Sequence, residues 1–204
     1  MKQLVVIGGG EHARVVIEAA TEWSIVGYVD REQGETARRL AVEWLGNDET
    51  YLAKHRGAPH LCVLGVGYLG EPRTALVCQY QGVRWATVVH QRAWVSPTAT
   101  LGEGVVVLAG AVINSGARVG EHSIVNTGAI VEHDVDVGAF SHIAPGVTIG
   151  GGARIGSSCH LGLGSSIRDH VTIGAQATVG MGAVVVSNVA SGAKVLGVPA
   201  KGAS

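Results

Sequence analysis

The second half of this 204-residue chain contains five histidines, namely His122, His133, His142, His160 and His170. His133 directly precedes Asp134, and an imidazole beside a carboxylate has the residue types for proton transfer near neutral pH. His142 lies nine residues after His133, and His160 lies eighteen residues after His142. Three neutral imidazoles and a water could instead hold a zinc ion, so acid–base chemistry and metal chemistry are both open at this point.

A second group of residues suited to binding lies near the N-terminus, where Gly8, Gly10 and Ala13 follow an apolar run. With Asp30 at the end of the next apolar run, they satisfy the loose fingerprint of a dinucleotide-binding loop. Such glycines let the backbone approach a pyrophosphate, and the N-terminus of the following helix stabilises its charge. A tight turn without a ligand is the alternative. Because a dinucleotide needs two βαβαβ halves and only one fits here, one nucleoside diphosphate is the better match.

The histidines lie in a stretch where every sixth residue is a branched aliphatic. A period of six fits neither an α-helix nor an alternating strand. It is typical of the hexapeptide β-helix, in which three hexads close a coil of eighteen residues, and a register this long disfavours the alternative, a Gly- and Val-rich sandwich. The sixteen inward positions are Val95, Leu101, Val107, Ile113, Val119, Val125, Val131, Val137, Ile143, Ile149, Ile155, Leu161, Ile167, Ile173, Val179 and Val185.

The same period gives expectations for the remaining polar residues. His142 and His160 should stack in successive coils, whereas His122 and His170 fall at turn positions and should be exposed. For His160, which matches no motif, we expect an ordinary polar surface residue. The glycines that follow the aliphatics should lie at corners, where the chain needs positive φ or close backbone approach.

The N-terminal part alternates apolar strands with helical stretches, which predicts a small parallel α/β domain of Rossmann-like type. Strands are expected at residues 4–7, 25–29, 61–64 and 85–89, with helices at about 13–23, in the polar stretch to about 54, and after Pro72. We therefore predict two domains, residues 1–88 for nucleotide binding and residues 89–204 forming the β-helix. The coils should end after Val185, with residues 197–201 capping the open end.

Composition narrows the function classes. The net charge of −1 gives no basic excess for nucleic acid. The N-terminal apolar run is too short for a signal peptide or a membrane span. The three cysteines are widely spaced and odd in number, which is typical of reduced core residues in a cytoplasmic protein: Cys62, Cys78 and Cys159.

The sequence Gly8-Gly9-Gly10-Glu11-His12 together with the hexapeptide solenoid resembles the bacterial nucleotide-amino-sugar N-acetyltransferases and their relatives, the sialic acid O-acetyltransferases. The resemblance covers nearly the whole chain and implies a left-handed β-helix. It also implies that the loop binds a nucleotide sugar. Diphosphate and sugar would contact Gly10, Glu11 and His12, the nucleoside would contact Asp30 and Arg31, and Gly65 would line the crevice. This chain departs from the family between Val66 and Pro72, where extra residues precede Arg73.

Two solenoid segments, residues 126–134 and 141–146, match the active-site segment of that family. The resemblance implies that His133 is the general base, that Asp134 orients it or raises its basicity, and that His142 contacts the thioester of acetyl-CoA. The backbone N–H of Gly151 is a candidate donor to the oxyanion. Because neighbouring strand residues point to opposite faces, His133 and Asp134 can meet only at a corner. Leu163 and Met181, one coil apart, would line the CoA groove.

The resemblance thus implies an enzyme that transfers acetyl from acetyl-CoA directly to the amino group of a nucleotide-linked 4-amino-4,6-dideoxy sugar. Cys159 is not expected to act as a nucleophile, since no His/Asp partner pattern accompanies it. A homotrimer with active sites at its subunit interfaces would cover the flat prism faces. One alternative is O-acetylation of a sugar such as sialic acid. A more distant one is a zinc enzyme like the γ-class carbonic anhydrases, although their histidine pair five residues apart is missing here. No metal is expected.

Overall fold

The structure is a computed structural model, and it describes residues 2–55, 58–67 and 71–202. The chain separates into two compact units, Met1–His90 and Gln91–Ser204. Within the described ranges, no helix is long and apolar enough to cross a membrane. Of the segment from Val66 to Pro72, where this chain is predicted to depart from the family, residues 68–70 lie outside the described residues.

The first unit is a parallel three-stranded sheet with helices. In chain order its elements are β1 (Lys2–Ile7), α1 (Glu11–Ala19), β2 (Trp23–Val29), α2 (Glu35–Leu40), α3 (Asp48–His55), β3 (Leu61–Leu64), α4 (Glu71–Gln79) and β4 (Val88–Val89). The sheet order is β2-β1-β3. Because β1 is central, its residues from Leu4 to Ile7 are all buried, as a strand covered on both faces must be.

Three predicted elements differ from the observed ones. The predicted helix at 13–23 begins earlier and ends at Ala19, because Trp23 already pairs in β2. The polar stretch to residue 54 forms two helices, separated where Trp44 bridges to Tyr28 beside β2. The predicted strand at 85–89 is reduced to an isolated bridge from Trp85 to Cys62 and the two-residue β4.

The second unit is a three-faced parallel β-helix whose strands are two residues long. All sixteen strands end at a predicted aliphatic, from β5 (Trp94–Val95) to β20 (Val184–Val185). Paired residues in neighbouring coils differ by eighteen, as in Ile124 with His142, so three hexads close one coil. The intermediate strands are β6 (Thr100–Leu101), β7 (Val106–Val107), β8 (Val112–Ile113), β9 (Arg118–Val119), β10 (Ile124–Val125), β11 (Ile130–Val131), β12 (Asp136–Val137), β13 (His142–Ile143), β14 (Thr148–Ile149), β15 (Arg154–Ile155), β16 (His160–Leu161), β17 (Ser166–Ile167), β18 (Thr172–Ile173) and β19 (Thr178–Val179).

The three faces follow one another around each coil. Face 1 contains β7, β10, β13, β16 and β19; face 2 contains β5, β8, β11, β14, β17 and β20; face 3 contains β6, β9, β12, β15 and β18. The aliphatics point inward, and those from Val107 to Val185 are buried. Each outward residue precedes its aliphatic, so His142 and His160 lie in one outward column on face 1.

Two different requirements select the residues of the corners. The glycine directly after an aliphatic is needed for close approach, since a Cβ on Gly120 would come within 2.5 Å of the backbone nitrogen of Ala139 in the next coil. The residue two positions later adopts positive φ, where glycine is favoured and Asn, Asp and His are tolerated better than other types. Six non-glycine residues of the solenoid occupy this left-handed position, namely His122, Asp134, Phe140, Ser158, His170 and Gln176, with φ of 54° at His122 and 58° at Asp134.

The solenoid does not end at Val185, so this prediction was wrong. Val189 bridges to Ile173, and β21 (Lys194–Leu196) pairs in parallel with β19 on face 1. The six-residue spacing hides this continuation, because Val189 lies four positions after Val185 instead of six. The chain then turns back through β22 (Lys201–Gly202), which is antiparallel to β21.

Candidate active site

His133 and Asp134 lie together at the corner between face 2 and face 3, which we call the His133 corner. The Nδ1 atom of His133 is 3.0 Å from Oδ2 of Asp134. Asp134 adopts left-handed backbone geometry, with φ of 58°, so the two side chains do not alternate as they would in a strand. The corner therefore brings together a neighbouring pair that an extended chain would hold apart, and it leaves Nε2 of His133 outside that contact.

Two glycines in the adjacent coils give these side chains room. A Cβ on Gly151, eighteen residues after His133, would lie 2.6 Å from Nε2 of that imidazole. A Cβ on Gly116, eighteen residues before Asp134, would lie 2.5 Å from Oδ1 of the carboxylate. Gly151, predicted as an oxyanion donor, thus packs directly beside the imidazole of His133.

The electrostatics of this corner favour a basic imidazole. The hydrogen bond that Asp134 accepts from the imidazole raises the pKa of His133 above its ordinary value, and the negative charges of Asp134 and Glu132 act in the same direction. The side chains of both members of the pair are largely exposed, at 62% and 73%. A base held in this way is accessible to a substrate proton and oriented through its other ring nitrogen.

His142 forms a second group on face 1, together with a residue that sequence reasoning did not select. Nδ2 of Asn126 is 3.0 Å from Nε2 of His142. Oδ1 of Asn126 accepts the backbone N–H of Thr127 at 2.8 Å, which directs the amide nitrogen towards the ring. Nε2 of His142 is then the acceptor, and this favours the tautomer with its proton on Nδ1. The sequence signal for Asn126 was its place in the motif-matching segment 126–134.

His160 is not the exposed polar residue that we expected. Its residue is half-buried, its ring lies edge-on to that of His142 with centroids 5.4 Å apart and an interplanar angle of 65°, and burial lowers its pKa. The prediction of exposure was also wrong for His122, which is 3% exposed because its ring stacks on Phe140 of the next coil at 5.0 Å. His170 is exposed, as predicted.

The corner between face 1 and face 2 has a distinct composition, and we call it the glycine edge. Every left-handed position along this edge is a glycine. An added Cβ would have no atom closer than 3.9 Å at any of them, namely Gly110, Gly128, Gly146, Gly164 and Gly182. Leu163 and Met181 lie on this edge and are 49% and 76% exposed. An edge with bare backbone and protruding apolar side chains suits an elongated ligand held by amide groups.

Cys159 is held as a structural residue. Its thiol is buried and its Sγ donates to the carbonyl of Gly174 at 3.1 Å, as the hydroxyl of Ser141 donates to Gly156 one coil earlier. Burial raises the pKa of Cys159. A buried thiol that stays protonated and occupies a repeating hydrogen-bond position is unsuited to carry an acetyl group.

The predicted nucleotide residues lie at the carboxyl-terminal ends of the parallel strands in the first unit. Gly10 caps the N-terminus of α1 in extended geometry without a side-chain cap, and Glu11 and His12 occupy the first turn. A Cβ on Gly10 would meet nothing within 4 Å, so this part of the loop is open. The free N–H groups of a first helical turn are favourable for a phosphate. Gly65 follows β3 and donates its N–H to the carbonyl of Ile7 at 2.7 Å.

Gly9 is a loop residue that the fingerprint did not single out. A Cβ there would lie 2.4 Å from the ring of Tyr28, so no side chain fits. Its N–H donates to Oδ2 of Asp30 at 2.6 Å, and its carbonyl accepts the hydroxyl of Thr36. Asp30 also accepts the N–H of Arg31 at 2.6 Å through Oδ1. The carboxylate therefore fixes the loop, in addition to any contact it makes with a nucleoside.

His12 lies in a buried and positively charged environment. Desolvation and the charge of Arg73 lower the pKa of His12 to about 4. Arg73 is itself 1% exposed, and burial lowers its pKa to about 10. His12 is thus neutral at physiological pH and can act as a hydrogen-bond donor or acceptor without a charge of its own.

The predicted catalytic residues of the solenoid fall into two groups. The His133 corner lies opposite face 1, where His142 and His160 lie, because nine residues are half of one coil. One chain therefore does not bring His133 and His142 into contact. In the described part of the chain, no three His, Cys, Asp or Glu side chains are grouped so that they could hold a metal ion.

Comparisons with known proteins give consistent results. The model of the PglD N-terminal domain family matches residues 3–69. A mutant perosamine N-acetyltransferase from Caulobacter crescentus, solved with CoA and GDP-perosamine, is 34% identical with a TM-score of 0.92, covering 100% of this chain and 98% of that chain. The PglB acetyltransferase domain from Neisseria gonorrhoeae, solved with acetyl coenzyme A, is 34% identical with a TM-score of 0.91 and 99% coverage of both chains.

A third structure, WeeI from Acinetobacter baumannii, is 20% identical with a TM-score of 0.86 and covers 100% of both chains. No curated protein sequence gives a match. The predicted fold class, a Rossmann-like α/β domain followed by a left-handed parallel β-helix, is confirmed.

Proposed function

This chain belongs to the PglD/NeuD-like family of hexapeptide-repeat acyltransferases, and from that membership we propose that it acetylates the amino group of a nucleotide-linked sugar with acetyl-CoA. The enzyme is an acetyl-CoA-dependent N-acetyltransferase. Its substrate is a nucleoside diphosphate carrying a 4-amino-4,6-dideoxy sugar. The relative from Caulobacter crescentus, which was solved with GDP-perosamine, supports this substrate class.

The observation that carries the chemical proposal is the hydrogen bond between His133 and Asp134 at a corner cleared by Gly116 and Gly151. Asp134 holds Nδ1, so Nε2 of His133 is the atom that accepts the substrate proton. Since the pKa of His133 is raised, the imidazole is a stronger base than a free histidine.

The reaction proceeds by direct transfer. The neutral amine nitrogen of the sugar attacks the thioester carbonyl carbon while Nε2 of His133 takes a proton from that nitrogen. The N–C bond forms, and the developing oxyanion is stabilised by a backbone N–H, for which Gly151 is our candidate. When the intermediate collapses, the C–S bond breaks and the imidazolium returns the proton to the leaving CoA thiolate.

The two substrates use separate parts of the chain. The open loop at Gly10 and the first turn of α1 bind the diphosphate, where neutral His12 donates a hydrogen bond. Asp30 and Arg31 contact the nucleoside, and Gly65 lines the same edge of the sheet. Acetyl-CoA lies along the glycine edge beside Leu163 and Met181, with its thioester near His142.

The protein acts as a homotrimer. Since the His133 corner lies opposite His142 in each chain, a site that uses both residues must take them from two subunits. Mixing inactive His133→Ala and His142→Ala proteins, after dissociation and reassembly, should restore activity in the mixed trimers. If both residues served one site within a single chain, the mixture would remain inactive. The three free cysteines are consistent with a reducing, cytoplasmic location.

The test of the reaction is a thiol-release assay with acetyl-CoA against UDP-, GDP- and dTDP-linked 4-amino sugars and free sialic acid. We expect turnover with one nucleotide amino sugar and a loss of several orders of magnitude in His133→Ala. Turnover only with sialic acid would replace the proposal with O-acetylation. No turnover with any of these substrates would overturn it.

A further inference from the structure

His160 occupies the coil after His142 in the same outward column, where it combines a ring contact with a buried ring nitrogen. The register pairs His142 with His160, and His160 with Thr178. The His160 ring is edge-on to the His142 ring at a centroid distance of 5.4 Å. Among the described residues, no atom hydrogen-bonds to its buried Nδ1. An imidazole that only filled solvent-facing space would keep both nitrogens hydrated.

We propose that His160 is a positioning residue for acetyl transfer: its neutral ring packs edge-on against His142 and fixes the plane of that imidazole. The inference rests on the proposed function, in which His142 contacts the thioester. Asn126 holds the His142 ring through Nε2, which lies 3.0 Å from Nδ2 of Asn126. The His160 ring adds a contact at an interplanar angle of 65°, and this contact restricts rotation of the His142 ring about the Nδ2–Nε2 line.

The chemistry of His160 agrees with packing and disagrees with proton transfer. Nδ1 is buried without a partner, and an unpaired N–H is more costly to bury than an unpaired lone pair, which favours the tautomer with the proton on Nε2. Desolvation lowers the pKa of His160, so a positive charge beside His142 is disfavoured. Edge-to-face packing of aromatic rings stabilises such a pair beyond the area that it buries.

The substitution series separates the ring of His160 from its nitrogens. His160→Phe keeps a planar ring and removes both ring nitrogens, whereas His160→Leu removes the aromatic edge at similar volume. Thr178→Val is the matched control. Thr178 is the next outward residue of the same column, and its strand pairs with that of His160 and not with that of His142. Thermal unfolding of each variant shows whether the solenoid remains intact.

Steady-state kinetics with acetyl-CoA and the accepted nucleotide amino sugar give the decisive readout. We expect His160→Leu to lower kcat/KM for acetyl-CoA about tenfold with the KM for the nucleotide sugar unchanged. His160→Phe should lie within about threefold of the wild type with the same pH profile, and Thr178→Val should be unchanged.

Three outcomes would overturn this role for His160: wild-type kinetics in His160→Leu, a loss in His160→Phe as large as in His160→Leu, or an equal loss in Thr178→Val. The failure of the underlying function is a different result, because the wild-type protein would then show no thiol release with any nucleotide amino sugar. With an active wild type, the leucine and phenylalanine variants decide the proposal on their own.

Discussion

The substitution Gly151→Ala tests the role of His133 without touching either member of the His133–Asp134 pair. A Cβ at position 151 would lie 2.6 Å from Nε2 and 2.7 Å from Cε1 of His133, whereas ordinary contact begins at 3.4 Å. The imidazole must therefore move by about 0.8 Å or more. A misplacement of about 1 Å in a reacting group can lower a rate about 100-fold, or about 2.7 kcal/mol in the activation barrier.

Stability should hardly change, and this separates the catalytic effect from unfolding. Gly151 is not among the residues with positive φ, so alanine fits its backbone. The side chain of His133 is 62% exposed and can swing into solvent. The N–H of residue 151 is also kept, so a candidate oxyanion donor is not removed. We expect kcat to fall about 100-fold with a change in the free energy of unfolding below about 0.5 kcal/mol.

The neighbouring Gly150→Ala is the contrasting control. There a Cβ would lie 2.5 Å from the backbone nitrogen of Asp169 in the next coil, and backbone cannot swing away. We expect this variant to lose about 1–3 kcal/mol of stability. The assay is thiol release at saturating substrates, paired with thermal unfolding. If Gly151→Ala keeps kcat within threefold of the wild type, His133 is not the base in this orientation.

Three further predictions address other parts of the chain. Asp134→Asn removes the carboxylate that raises the pKa of His133, so the acid limb of the kcat/KM–pH profile should move to lower pH while the plateau falls at least tenfold; an unmoved limb would contradict the pairing. His12 is neutral in the folded protein because its pKa is lowered from 6.5 to about 4. The free energy of unfolding should therefore fall by about 3 kcal/mol as the pH falls from 6.5 to 4. His12→Gln should flatten this pH dependence in thermal unfolding. Met181→Glu, on an exposed residue of the glycine edge, should raise the KM for acetyl-CoA at least tenfold and leave the KM for the nucleotide sugar unchanged; equal effects on both would move CoA elsewhere.

The sequence predicts the solenoid well because each hexad repeats the same physical demand. A buried aliphatic must recur once per strand. The resulting six-residue period is therefore visible in the sequence whatever the outward residues are. The prediction stops working at Val189, because a hexad shortened to four residues breaks the period while the backbone pairing continues. A periodic signal reports spacing alone, and backbone hydrogen bonds tolerate a local change in spacing.

The exposure of single residues was harder to predict, and the two histidines show why. His122 and His160 were both judged from their own hexad positions. Their burial depends on residues eighteen positions later or earlier, Phe140 for one and His142 for the other. Aromatic side chains that recur once per coil pack on each other. Stacking at a separation of eighteen is therefore the signal that an inspection of single hexads misses.

Gly9 and Asp30 show the same limit in the first unit. The fingerprint selects Gly8, Gly10 and Asp30 by spacing, but the tightest steric requirement in the loop falls on Gly9, where a Cβ would lie 2.4 Å from the ring of Tyr28. That requirement depends on how β2 pairs with β1, and this tertiary detail has no local signature. The carboxylate of Asp30 likewise bonds the loop N–H of Gly9 across 21 residues.

The His133 corner shows how the hexad restricts where chemistry can be placed. Two consecutive residues of a strand point to opposite faces of the sheet. Two consecutive side chains can therefore converge at the turn, where the second residue is in the left-handed region. Glycine is favoured there, and Asp134 is one of six non-glycine residues of the solenoid that adopt positive φ at this position. The left-handed geometry of Asp134 brings its carboxylate to His133, and Gly116 and Gly151 in the adjacent coils are the steric complement of the pair.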